Sequence, residues 1–128
     1  MRQVGMHQVG LCLRVFWELV RYDVRFALRG MRCIETRRMP PRDQGSASSE
    51  KEICDALRAV APFYWKPVRC LQRSVVTARV MRGNGIPADI VIGYRAKPFF
   101  SHAWVEVAGR VVNDSVLYQK QFQVLERL

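Results

Sequence analysis

Nothing in this 128-residue chain pairs its cysteines. Cys12, Cys33, Cys54 and Cys70 are scattered singly, without a C-x-x-C spacing, so neither a zinc site nor a thioredoxin-type dithiol is encoded. No apolar run approaches the roughly 20 residues that cross a bilayer. A secretory pattern is missing too, because the short apolar stretch from Leu11 to Phe16 is interrupted by Arg14. The chain is therefore expected to be cytoplasmic. Acidic residues are few, 11 against 21 Lys and Arg, which leaves a net charge of +10. Such a balance admits nucleic acid, an anionic membrane surface or an acidic peptide as partner. With no zinc-finger spacing, no aromatic ribonucleoprotein motif and no helix-turn-helix, nucleic acid has the least support. There is no phosphate loop either: Gly83-Asn84-Gly85 follows a helical stretch and precedes a strand, the reverse of a nucleotide loop. No internal repeat recurs.

A hydrophobic fraction of 49% suffices for one core, and hydrophobic periodicity divides the chain. Residues from about 11 to 33 read as an amphipathic helix with Leu13, Phe16, Trp17, Val20, Val24, Ala27 and Met31 turned inward. Arg14, Glu18, Arg21, Arg25, Arg29 and Arg32 take the opposite face. Two uses of that face stay open. It is a solvated surface over the core, or Arg14, Arg21, Arg25 and Arg29 dock a partner protein or an anionic membrane surface. Met39 to Ser49, with two prolines and a run of small residues, reads as a linker. The division expected is an N-terminal helix and linker over 1–48 and a second unit over 49–128.

In that second unit Ser49 and Glu52 have capping-box spacing, and Ile53, Ala56, Leu57 and Val60 form a buried face up to Pro62. An aromatic connection, Phe63-Tyr64-Trp65-Lys66-Pro67, leads to a third helix from about Arg69 to Met81. Leu71, Val75 and Ala78 point inward there, and Gly83 and Gly85 stop it. Ala88 to Tyr94 reads as a buried strand. In the next, Ser101 to Val107, alternation puts His102, Trp104 and Glu106 on one face and Ala103, Val105 and Val107 on the other. Ala108-Gly109 turns the chain and Arg110 to Asn113 returns. The tail from Ser115 to Leu128 is expected to be a short helix or a loosely held end. The class is α+β, a helix packed on a small antiparallel sheet with an N-terminal helical extension.

Three residues in this layout carry chemistry. Cys70 opens the third helix, where unpaired backbone N–H groups and the positive end of the dipole favour a thiolate; Arg69 and Arg73 add positive potential. His102 opens a strand, and Asp114 closes the returning one. Pairing about the Ala108-Gly109 turn sets the start of the first strand beside the end of the second. A thiol at neutral pH is a poor nucleophile; an imidazole within reach takes its proton, and a carboxylate fixes the imidazole's tautomer. The expected triad is Cys70, His102 and Asp114, the order and layout of a transglutaminase-like or papain-like cysteine enzyme. The N–H of Cys70 serves an oxyanion, and Tyr64, Trp65 and Trp104 are the side chains considered for a second donor or for a substrate wall. Cys12, Cys33 and Cys54 read as small core hydrophobes, and no metal or cofactor is called for.

Arg69-Cys70-Leu71-Gln72-Arg73-Ser74, Gly85-Ile86-Pro87-Ala88 with Val91-Ile92-Gly93, Pro98-Phe99, His102-Ala103-Trp104-Val105-Glu106-Val107 and Asn113-Asp114 come in one order and spacing. From about Ser49 to Asp114 the chain thereby resembles the transglutaminase-like B proteins of lasso peptide biosynthesis, which are leader peptidases. The resemblance implies Cys70 as nucleophile, His102 as base and Asp114 as orienting acid, in a bacterial cytoplasmic enzyme. It implies three partners: the leader of a ribosomally made precursor, a separate winged-helix leader-recognition protein, and an ATP-using macrolactam cyclase. The region before Ser49 is expected to lack the strands of a fused recognition module. Two other activities remain open, transfer of the acyl group to an amine and a non-catalytic basic adaptor.

Overall fold

The computed structural model describes residues 6–30, 50–96, 99–112, 120 and 122–128. Three helices, α1 (Met6–Arg29), α2 (Glu50–Val60) and α3 (Cys70–Gly83), are followed by strands β1 (Ala88–Ala96), β2 (Phe99–Val107), β3 (Arg110–Val111) and β4 (Gln123–Arg127). A 3-10 turn, Ala61–Phe63, ends α2 where Pro62 denies it a further helical hydrogen bond. The strands form one antiparallel sheet in the order β3-β2-β1-β4. The expected linker and the Ser49 cap fall outside the described residues.

The helix α3 is the centre of the molecule. It packs on β1 and β2 on one side and meets α1 and α2 on the other. Burial consequently runs around its circumference: Gln72, Ser74, Val75, Val76, Thr77, Ala78, Val80, Met81 and Arg82 are all buried. Two of the buried polar side chains reach backbone carbonyls of other segments. Gln72 Nε2 donates to the Leu19 carbonyl on α1 at 3.1 Å. Arg82 donates through Nε to the Ala88 carbonyl and through Nη2 to the Leu128 carbonyl, each at 3.0 Å. The end of α3 is thereby tied to the start of β1 and to the last residue of the chain.

The α1 helix departs from expectation in bounds and in phase. It spans Met6–Arg29 rather than 11 to 33, and Leu11, Val15, Leu19 and Tyr22 are its buried apolar residues. Most of the row expected inside points out: Leu13 is 66% exposed, Trp17 60% and Val24 53%, while Val20 packs against the core and Met31 lies outside the described residues. Both rows satisfy a 3.6-residue period, so periodicity cannot choose between them. The bonds that choose come from elsewhere in the chain. Gln72 takes the Leu19 carbonyl, and Asp23 pairs with Lys66 at 2.6 Å and accepts from the Tyr64 hydroxyl. Glu18, assigned to the outer face, is buried with Arg21 at 3.4 Å and Arg79 at 3.9 Å. On α2, Ile53, Ala56 and Leu57 are buried as expected.

The β-branched run Ile90-Val91-Ile92 puts β1 at the middle of the sheet. It pairs with β2 in a register that sets Ile90 against Val105, Val91 against Trp104 and Gly93 against His102. On the face toward α3, Ala88, Ile90, Val105 and Val107 join the main core; on the far face Val91, Trp104 and Phe122 form a second cluster. The hairpin into β3 turns at Ala108 (φ 52°) and Gly109 (φ 79°), two left-handed residues in succession, whose twist suits a tight antiparallel hairpin. The described end of the tail, from Phe122 to Leu128, is neither helix nor loose end. Its β4 strand adds to β1, pairing Val91 with Arg127 and Gly93 with Val124, and Leu128 exchanges backbone hydrogen bonds with Ile90 at 2.7 and 3.0 Å.

Candidate active site

Cys70 is the first residue of α3. Arg69 before it is extended (φ −86°, ψ 167°) and supplies no side-chain cap, and no acidic residue occupies the first turn. The backbone N–H groups of that turn therefore lack side-chain acceptors, and the positive end of the dipole is uncompensated. The thiol is free and half-buried, between exposed Arg69 and Arg73. From Cys70 the helix runs about 20 Å to Gly83, and Asn84 to Pro87 lead from its end into β1.

His102 is half-buried and is the fourth residue of β2, directly after the exposed residues Phe99, Phe100 and Ser101. Its ring lies 5.5 Å from Phe122 and 6.1 Å from Trp104 between centroids. The alternation read from the sequence holds. His102 and Trp104 share the face of the second cluster, while Val105 and Val107 face α3. Among the described residues no hydrogen bond joins the Cys70 thiol to His102. Asp114 lies outside the described residues. The hairpin leading to it forms as expected, with Glu106 opposite Val111, Val107 opposite Arg110, and Val112 N donating to Val105 O at 3.0 Å.

The other named side chains are distributed less centrally. Tyr64 is buried, and its hydroxyl donates to Asp23 on α1. Burial first, and that hydrogen bond second, push its phenol up to about 12. The Trp104 indole N–H donates to Glu106 Oε2 at 2.8 Å, so its one donor is already engaged. Trp65 is open to solvent at 74% exposure, with Lys66 5.6 Å over its ring. On α1, Arg14 and Arg29 are exposed, Arg25 is half-buried, and Arg21 is held by Glu18. Of the other thiols, Cys54 is buried and donates to the Val112 carbonyl at 3.4 Å, and burial pushes it up to about 11. Cys12 is half-buried and Cys33 lies outside the described residues. A cleft of about 320 Å³ between α1 and α2, lined by Leu11, Cys12, Glu52 and Ala56 among others, is remote from Cys70. Among the described residues no group of His, Cys, Asp and Glu could hold a metal ion.

Two features near His102 were not read from the sequence as parts of a site. Glu106 is buried, with Arg127 Nη1 2.6 Å from its Oε1. Gly93 faces His102 across the strand pair. Alternation put Glu106 on the face of His102 and Trp104, which was a usable signal. Nothing local pointed to Arg127, because its strand had not been foreseen.

A buried helix opening on a cysteine, laid on an antiparallel sheet whose second strand carries a histidine near its start, is an α+β domain of the transglutaminase-like kind. The chain belongs to the transglutaminase-like superfamily, whose family model matches residues 16–127. The match begins inside α1. Over 59 residues the chain is 39% identical to the microcin J25-processing protein McjB of Escherichia coli. That stretch covers 46% of this chain and 28% of that protein, so the chain matches well under a third of this relative's length. No solved structure matches it.

Proposed function

We propose that the chain is a cysteine leader peptidase of lasso peptide maturation. The observation that carries the reading is Cys70 at the start of the central helix, without a side-chain cap or an acidic residue in its first turn, in a chain similar to a microcin-processing protein. His102 takes the Cys70 proton, and the sulfur attacks the scissile carbonyl. The tetrahedral oxyanion is met by the unpaired N–H of Cys70 and a second donor. Collapse expels the core-peptide amine, which receives the proton from His102, and leaves the leader as a thioester. Water, deprotonated by the same imidazole, releases the leader carboxylate and restores the thiol. Asp114 orients the imidazole through the ring nitrogen that does not face sulfur.

The leader reaches the enzyme on a separate winged-helix recognition protein, and the freed core passes to an ATP-using cyclase, in the bacterial cytoplasm. Among the described residues no helix is long and apolar enough to cross a membrane. The outward row of α1, with Leu13, Trp17 and Val24 exposed alongside Arg14 and Arg29, is the docking face assigned to the recognition protein.

Cleavage of a precursor in a mixture with the recognition protein tests the reading. Cys70→Ala abolishes leader release, and undiminished release by that variant overturns the proposal. Product mass separates hydrolysis from transfer, since an added amine captured as a new amide makes the chain an acyltransferase. Iodoacetamide should also label Cys70 faster than Cys54; equal rates speak for a non-catalytic adaptor.

A further inference from the structure

The far face of the sheet holds a chain of contacts that ends on the His102 ring. Gly93 lies directly opposite His102. A Cβ on Gly93 would meet Trp104 Cη2 at 2.6 Å and Cζ3 at 2.8 Å, and the Phe122 Cβ at 3.0 Å. The indole therefore lies across the bare backbone of β1, in space that any other residue would fill. There the fully buried Trp104 ring runs within 30° of parallel to the imidazole at 6.1 Å, and Phe122 closes the imidazole's surroundings at 5.5 Å.

The indole is held in turn. Its N–H donates to Glu106 Oε2 at 2.8 Å, and Arg127 Nη1 donates to Glu106 Oε1 at 2.6 Å. A buried carboxylate bonded through both oxygens has little freedom to turn, and charge-assisted bonds of this kind are the strong ones. Arg127 pairs with Val91, and Val91 with Trp104, so β4, β1 and β2 each place one member in a single row across the sheet. The strand that ends with Arg127 is preceded by Phe122. One segment thus supplies both the anchor of Glu106 and an aromatic neighbour of His102.

We propose that Glu106, acting through Trp104, is a positioning residue for His102, and that Gly93 provides the space the indole needs to do this. The assignment rests on the reading of His102 as the base. A rotated indole would remove one of the aromatic walls beside the imidazole and shift the ring from the geometry that proton transfer requires, and misplacement on the ångström scale is costly in rate.

The test uses the full chain as wild type, Glu106→Gln, Glu106→Leu and Gly93→Ala. Two quantities are read: the His102 ring-proton NMR shifts, set by the ring currents of Trp104 and Phe122, and the iodoacetamide rate at Cys70 relative to Cys12 at mildly acidic pH, where ordinary thiols are protonated. In Glu106→Leu and Gly93→Ala the His102 signals move, and the advantage of Cys70 falls on the order of tenfold. Glu106→Gln keeps an acceptor for the indole but sets an amide against Arg127, and gives smaller changes of the same sign. A structural role alone would lower the melting temperature and leave the imidazole signals in place. Unmoved His102 signals in the folded variants overturn the proposal, and Glu106→Gln, nearly isosteric, decides alone if the others do not fold. A wild-type Cys70 no faster than Cys12 would instead count against the peptidase reading, while the ring signals still decide the positioning role.

Discussion

The helices α1 and α3 both carry apolar residues at helical spacing, yet the molecule treats them in opposite ways. α3 is buried over most of its circumference, so that even Gln72, Ser74, Thr77 and Arg82 are buried. α1 turns Leu11, Val15, Leu19 and Tyr22 inward and leaves Leu13, Phe16, Trp17 and Val24 exposed. A helix with two apolar rows can satisfy its own fold with one of them. Much of the second row stays exposed, and the proposed function gives that face a partner.

Substitutions along the two rows sharpen that contrast. The largest effect is expected from Leu19→Ala, which empties a fully buried site and should cost about 2–5 kcal/mol in denaturant titration. A loss no greater than that of Leu13→Ala would mean the rows had been assigned backwards. Next comes Tyr64→Phe, which removes the hydroxyl that ties the approach to α3 onto Asp23 of α1, at about 1.5 kcal/mol.

This loss has a pH signature. The Tyr64 phenol is raised from its ordinary 10.0 to about 12, so the folded state holds that proton more tightly than the unfolded one. Its contribution is fully present below pH 10 and fades as pH rises toward about 12. The gap in stability between wild type and Tyr64→Phe should narrow over that window, and a constant gap would refute the assignment. Smaller and opposite in sign is Thr77→Val on α3. The Thr77 hydroxyl is buried without a hydrogen-bond partner among the described residues, so a methyl in its place should stabilise by about 1 kcal/mol in the same titration. Least of all, Leu13→Ala should change stability by no more than about 0.5 kcal/mol while weakening capture of the proposed recognition protein. Unchanged capture would remove α1 as the docking face.

Much of the architecture could be read directly. The α2 face of Ile53, Ala56 and Leu57, the extent of α3, the β1 run, the alternation of β2 and the Ala108-Gly109 hairpin all rest on interactions between near neighbours. The positions of Cys70 at a helix start and His102 near a strand start followed from the same signals. Two things did not follow. Gln123-Val124-Leu125-Glu126-Arg127 shows no alternation, and its residues are exposed on both faces; backbone pairing with β1 makes it a strand. Since β4 was not legible, neither was the anchoring of Glu106 by Arg127, nor the reason residue 93 must lack a side chain. The third expected site residue, Asp114, belongs to the part of the chain outside the described residues.

The order of elements and the residues that open them are written in short-range chemistry: a helix's i to i+4 bonds, a strand's alternation and a turn's left-handed pair. The inward row of α1 and the recruitment of the tail into the sheet had locally equivalent alternatives. Contacts between distant segments resolved them, Gln72 and Tyr64 reaching α1 in one case and β1 receiving β4 in the other, because only there do the competing arrangements differ in free energy.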